Sequence, residues 1–212
     1  MLIDIEGTDG SGKAVQTKKL YEYLTQKGYK CKLISFPNYD SPSSEPVKMY
    51  LGGELKKEFD GYQNSALYAV DRLITMNNNI DINDYDFILF DRYVPSNMIH
   101  QSTKMTTISE VDAFIEWIID FEYGKLKLPI PDKIIFLDMP PEFSMKLASE
   151  RSDLKCKKNK DILESDENHI RTAYERAKYI ANKFNWLHIQ CVDDNLKSID
   201  KLHKEILTKL GI

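Results

Sequence analysis

Seven consecutive residues near the start of the chain, Gly7-Thr8-Asp9-Gly10-Ser11-Gly12-Lys13, have the types and spacing of a phosphate cradle. The glycines let the backbone curl so that its N–H groups point inward. The N-terminus of a following helix would add a positive dipole end. Lys13 would supply a mobile cation for β- and γ-phosphates. One part is missing. The residue after the lysine is usually Ser or Thr, whose hydroxyl ligates Mg²⁺. Here Ala14 and then Val15 follow, and neither has a hydroxyl. Either the metal is held by water and carboxylates, which Mg²⁺ accepts readily, or catalysis is weakened. The carboxylates available are Asp9, inside the loop, and Asp91.

Asp91-Arg92-Tyr93 ends an apolar run. A carboxylate and a guanidinium at such a place can face a ligand, and the arginine can fork onto phosphate oxygens. A structural ion pair is the competing reading. Asp71-Arg72 lies in a helical pattern with Tyr68 four residues before the arginine, so Tyr68 and Arg72 share a face. An aromatic plate beside a cation suits a base and its phosphate; an exposed helical face fits the spacing equally well. Lys155, Lys157, Lys158 and Lys160 sit in a stretch of little apolar content. By composition it is a solvated loop, with a mobile lid over phosphates as the alternative.

These residues need elements to position them. Apolar runs at Leu2–Glu6, Cys31–Phe36, Phe87–Phe90, Lys133–Leu137 and Leu187–Val192 read as five buried strands. Helical patterns separate them, including 14–27 with Val15, Leu20 and Leu24, and 196–210 with Ile199, Leu202, Ile206 and Leu210. Unbroken apolar strands alternating with helices predict an α/β fold in three layers, with a central, mostly parallel sheet covered on both faces. Ligands then lie beyond the carboxyl ends of the strands, which is where Gly7–Lys13 and Asp91-Arg92 fall. The 109–123 segment, with Ser109-Glu110 as its expected cap, carries Val111, Phe114, Ile115, Trp117, Ile118, Ile119 and Phe121 nearly all round. Two sides need covering, by central burial or by a second copy of the chain, and a homodimer through this helix is the expectation.

Composition sets the frame. The chain has 212 residues, enough for one domain with its own core. With 29 Lys+Arg against 33 Asp+Glu the net charge is −4, which argues against a dedicated nucleic-acid binder but not against a small phosphorylated ligand. Cys31, Cys156 and Cys191 are an odd, scattered set, read as free thiols of a reducing compartment. No apolar run reaches the length of a membrane span. The first residues lack the pattern of a leader peptide. A cytoplasmic protein folding as one unit over 1–212 is expected, with no membrane partner.

Taken together, the motifs resemble the thymidylate kinase family, bacterial type, among the P-loop nucleoside monophosphate kinases. The stretches that carry the likeness are IEGTDGSGK at 5–13, FPNYDSP at 36–42, LYAVDR at 67–72, FDRYVPSN at 90–97, LPIPD at 128–132, FLDMPPE at 136–142 and ASER from 148. Their order and spacing together are specific.

The resemblance implies a P-loop fold with a small lid over about 151–165 and transfer of the ATP γ-phosphate to dTMP. It implies that Gly7, Thr8, Asp9, Gly10, Ser11, Gly12, Lys13, Ala14 and Arg151 bind ATP. The dTMP side would be Asp9, Phe36, Pro37, Tyr39, Tyr68, Arg72, Arg92, Asn97 and His100. Tyr68 would stack on thymine, Asn97 would read the pyrimidine edge, and His100 would stand near the sugar's 2′ carbon. Asp9 would meet the 3′-hydroxyl, and Asp9 and Asp91 the metal, Mg²⁺. Lys13, Arg92 and Asp9 would carry the catalysis, with the lid lysines closing on the phosphates. Besides Ala14-Val15, the chain departs from the family at its lid lysines and at Leu163. A different P-loop kinase, and a nucleotide binder without turnover, are the rival readings.

Overall fold

Five strands form the sheet: β1 Leu2–Glu6, β2 Cys31–Ser35, β3 Phe87–Asp91, β4 Lys133–Asp138 and β5 Leu187–Gln190. All are parallel, in the order β2-β3-β1-β4-β5. The computed structural model describes residues 1–55, 58–78, 80–154 and 167–212, leaving aside the side chains of 148–154. The lid lysines Lys155–Lys160 and Leu163, together with Cys156, lie outside the described residues.

The alternation of β1 sets up the site. Ile3 and Ile5 point to one face, into a core with Leu20 and Leu24 of α1 (Lys13–Gln26) and Leu202 and Ile206 of α8 (Ile199–Leu210). Each such buried side chain stabilises the fold by about 1.5–3 kcal/mol. Leu2, Asp4 and Glu6 therefore point to the opposite face. That face is otherwise apolar: Ile34, Ile88, Phe90 and Phe136 pack there against α3 (Gly61–Asn77), α4 (Val94–His100), α5 (Ile108–Ile118) and α7 (Glu167–Lys183). Two fully buried carboxyl groups thus stand in the middle of a hydrophobic layer. The remaining helices described are α2 (Glu45–Leu51) and α6 (Pro141–Leu154).

Three expectations need adjustment. On α1 the buried stripe is Lys13, Gln16, Thr17, Leu20 and Leu24, at helical spacing. Val15 falls off it and is exposed, as is Ile199 at the start of α8. The cap of α5 is Thr107, not Ser109. The Thr107 hydroxyl accepts from Glu110 N at 3.2 Å, and Glu110 returns to Thr107 N at 3.0 Å, a reciprocal box that requires the acid three residues on. The helix continues past Ile118 as a wider π-helical stretch, Ile119–Lys125.

The two-sided apolar character of α5 is met within the chain. Val111, Phe114, Ile115 and Ile118 enter the core. Trp117 stacks on Phe121 at 5.0 Å and receives Tyr62 of α3 edge-on at 4.8 Å. An exposed apolar stripe also lies on α3, where Val70 and Ile74, four residues apart, are 43% and 40% exposed. No helix among the described residues is long and apolar enough to cross a membrane.

Candidate active site

The loop after β1 delivers its glycines where only glycine fits. Gly10 has φ +79°, and a Cβ there would stand 2.4 Å from the backbone oxygen of Ser144 on α6. Gly12 has φ +87° and open space around it, and forms the N-cap of α1. No side chain caps α1, and its first turn carries no acid. By contrast α3, α5 and α8 are capped by Asp60, Thr107 and Ser198. The free N–H groups at the start of α1 are therefore left for an external anion. Thr8 and Ser11 are buried in the loop, and their hydroxyls meet no partner among the described residues.

Lys13 is 7% exposed, and its ammonium donates to Thr8 O at 2.8 Å with Asp9 Oδ1 at 4.0 Å. Burial and the cation Arg92 lower its pKa to about 8, against the pull of Asp9, Glu6 and Asp91. Arg92 follows β3 with a left-handed backbone, φ 69°, a conformation that costs a non-glycine residue about 1 kcal/mol or more and collects at functional sites. Its guanidinium pairs with Asp9 Oδ1, donates to Ser96 Oγ at 3.2 Å and meets His100 Nε2 at 2.9 Å. A guanidinium only donates, so His100 Nε2 accepts and the imidazole is neutral. The charge balance agrees: burial, then Arg92, lower the His100 pKa to about 3. Burial pushes the Asp9 carboxyl up, but Arg92 and Lys13 hold it well below the usual carboxylate range.

Glu6 supports this cluster from beneath. It accepts from Tyr93 N at 3.0 Å and from Ser96 Oγ at 2.8 Å, so it fixes both the turn after Arg92 and the hydroxyl that Arg92 meets. Burial raises its pKa, opposed by Arg92. Asp4, two residues earlier, has no hydrogen-bond partner on either oxygen among the described residues, and burial raises its carboxyl well above the ordinary range.

A cavity of about 390 Å³ opens beyond the carboxyl ends of β1, β2 and β3. Asp9, Asp91, Arg92 and His100 line it. Phe36, Pro37, Tyr39, Tyr68, Arg72 and Asn97 also line it. The 36–44 loop is pinned by Asp71, whose carboxylate accepts from Asn38 N at 2.8 Å and from the Ser43 hydroxyl. The two residues of the Asp71-Arg72 pair thus part ways: one braces a loop, the other reaches the cavity.

Arg72 is not a free cation. Its Nε and Nη2 donate at 2.7 Å to the two oxygens of Glu122, in the π-helical stretch, and Nη1 donates to Tyr93 O at 3.3 Å. Both members of the pair are sealed from solvent, at 2% and 0% side-chain exposure. Asn97 Nδ2 donates to Glu122 Oε1 at 3.0 Å and to Ser65 O at 3.2 Å.

The residues from Asp9 to His100 expected on the acceptor side thus meet in one cavity. The backbone of Arg151 continues α6, which runs to Leu154. Sequence reasoning missed Glu6, Ser96, Glu122 and His169, whose ring lies 6.0 Å from His100 on the cavity wall. A signal existed for two of them. Glu6 interrupts a buried strand. Glu122 continues the stripe of Val111, Ile115 and Ile118 at helical spacing, where an apolar residue is due.

Two carboxylates, Asp9 and Asp91, face the cavity beside the loop, hard oxygen donors of the kind Mg²⁺ prefers. No group of three or more His, Cys, Asp or Glu placed to hold a metal occurs among the described residues.

Comparison with known proteins supplies the relatives. A family model described as thymidylate kinase matches residues 5–206. A probable thymidylate kinase of Methanococcus aeolicus is 30% identical over 209 residues, covering 98% of this chain and 94% of its own. The thymidylate kinase of Mycobacterium tuberculosis (strain H37Rv) is 30% identical over 179 residues, 83% of this chain and 78% of its own. That of Plasmodium falciparum is 25% identical over 210 residues, 98% of this chain and 88% of its own.

Proposed function

The chain belongs to the thymidylate kinase family, and from that premise we propose that it transfers the γ-phosphoryl group of ATP to the 5′-phosphate of dTMP, giving dTDP and ADP. The observation that carries this reading is one cavity lined by Arg92 and Asp9 together with Tyr68, Arg72 and Asn97, with Lys13 and the uncapped start of α1 next to Asp9.

In the reaction a dTMP phosphate oxygen bonds to the γ-phosphorus as the bond to the β–γ bridging oxygen breaks, and ADP leaves with that electron pair. The acceptor oxygen is already ionised, so no strong base is required. Catalysis is positioning and charge neutralisation. Gly7, Thr8, Gly10, Ser11, Gly12 and Ala14 shape the loop around the phosphates, and Lys13 and Arg92 neutralise the transferred group. Asp9 and His100 hold Arg92 until a phosphate takes their place. Mg²⁺, held by Asp9 or Asp91 and water, would neutralise the phosphate oxygens. Asp9 would also accept from the 3′-hydroxyl.

Tyr68 would stack on the base, with Phe36, Pro37 and Tyr39 along the monophosphate. Arg72 and Asn97 would read the pyrimidine edge, and the His100 ring would crowd a 2′-hydroxyl. The segment 151–165, with Arg151 at its start, would close over ATP. This reading also takes 1–212 as one unit, in the cytoplasm, and as a homodimer through the exposed stripe of α3 beside the 109–123 helix. Replacing Val70 and Ile74 by glutamate should convert the dimer to monomers in sedimentation.

The test of function is ADP formation from ATP with each nucleoside monophosphate. Turnover should be highest with dTMP and lower with dUMP, which lacks one methyl group, worth about 1–3 kcal/mol. ATP consumption that does not depend on dTMP, or rates with dCMP or dGMP equal to dTMP, would refute it.

A further inference from the structure

Glu122 does not line the cavity, yet it holds both side chains that face the base. We infer that Glu122 is the specificity-positioning residue of this enzyme: it fixes which atom of Asn97 faces the base, and so makes the site choose thymine over cytosine. The inference rests on the dTMP reading above and deepens it.

The argument is one of donors and acceptors. Glu122 is fully buried on the π-helical stretch. Its Oε2 accepts from Arg72 Nε at 2.7 Å, and its Oε1 accepts from both Arg72 Nη2 at 2.7 Å and Asn97 Nδ2 at 3.0 Å. Both oxygens of Glu122 thus act as acceptors. The second partner of Asn97 Nδ2, Ser65 O at 3.2 Å, is also an acceptor only. A flipped amide would set Oδ1 against two acceptor oxygens. The amide is therefore locked, with both N–H bonds spent inside the protein and Oδ1 as the group left for the cavity that Asn97 lines. Arg72, the other reader, has only donors to give.

An acceptor beside a donor matches the N3–H and O4 of thymine. It opposes cytosine, which presents a bare N3 and an amino group. The preference is thus set one residue behind the surface that meets the ligand. A leucine at 122 offers no acceptor, so Asn97 Nδ2 keeps Ser65 O alone and its amide is free to turn and offer N–H to the base.

The experiment compares kcat and KM for dTMP and dCMP in the wild type, Glu122→Leu and Glu122→Asp. Wild type should prefer dTMP. In Glu122→Leu the dTMP:dCMP ratio of kcat/KM should fall about 10- to 100-fold, the size of one buried hydrogen bond lost, with KM for dTMP rising more than kcat falls. Glu122→Asp keeps two acceptor oxygens and should keep the ratio within about threefold. A folded Glu122→Leu with the full wild-type ratio overturns the inference, as does Glu122→Asp losing it equally. If the wild type itself shows no dTMP preference, the functional reading fails first, and visibly so. Should Glu122→Leu not fold, ¹⁵N spectra of the Asn97 amide in wild type decide. Slow exchange and little shift on adding dTMP support the lock, whereas a large shift with fast exchange overturns it.

Discussion

Two arginines that line one cavity each meet a carboxylate, and they are built differently. Arg72 is 2% exposed, bound by two 2.7 Å hydrogen bonds to a carboxylate that is itself sealed. Arg92 is 21% exposed, and its partners Asp9, Ser96 and His100 surround it with an acid, a hydroxyl and a neutral ring. The first pair has had its desolvation cost met by near-ideal geometry, and removing one partner would strand a buried charge. The second sits at the water boundary, where a pair of this kind contributes little to stability. Charges that hold a shape are buried and fully bonded. Charges meant for a ligand are left with partners that a phosphate can replace. The backbone repeats the lesson: Arg92 stands in a left-handed conformation, whereas Arg72 lies inside a regular, capped helix.

This contrast can be broken by experiment. The largest effect expected is Lys13→Ala, which should lower kcat by about 1,000-fold in the coupled assay, since it removes the cation nearest the transferred phosphate. Next comes the pair of arginine variants. Arg92→Met should lower kcat by about 100- to 1,000-fold while shifting the thermal midpoint little. Arg72→Met should destabilise the fold by about 3–5 kcal/mol by leaving Glu122 buried and unpaired, as read by denaturant unfolding. The reverse pattern would erase the distinction between the two arginines.

Smaller is the pH response. Lys13, lowered to about 8 by burial and Arg92, should make kcat/KM fall about tenfold per unit above that pH, whereas bound phosphates should move the limb of kcat upward. Stability runs the other way. Between about 8 and the ordinary 10.5 the unfolded chain carries a proton that the native chain has released, so this group adds stability as pH rises through that window. His100, lowered to about 3 from 6.5, loses its contribution as pH falls between those values. His100→Gln should therefore flatten the drop in thermal midpoint from pH 6.5 to 4. The smallest effect is Ala14→Ser. It should hold or raise kcat, within about threefold if water and carboxylates already hold the ion.

Much was legible in the chain. The five strands were marked by apolar runs, and the order in which helices separate them dictated parallel pairing. The phosphate loop was visible because the backbone chemistry there needs glycine at set positions. Tyr68 and Arg72 were placed on one face by spacing alone, and both line the cavity. Other features depend on distance across the fold. That Asp71 braces the 36–44 loop while its neighbour faces the cavity follows from which helix face meets which loop. That Trp117 is covered from within the chain follows from Tyr62 of α3 and Phe121 meeting it across the fold.

The sequence by itself determined the sheet, the cradle and the kind of ligand, because periodicity and glycine placement are local and directly encode backbone path and phosphate geometry. Only the tertiary structure decided which charges are spent internally and which are offered. Arg72 and Arg92 look alike as letters, each following an aspartate. Their roles diverge because a glutamate 50 residues away reaches one of them in a dry interior, while the other meets Asp9 and His100 at the edge of solvent.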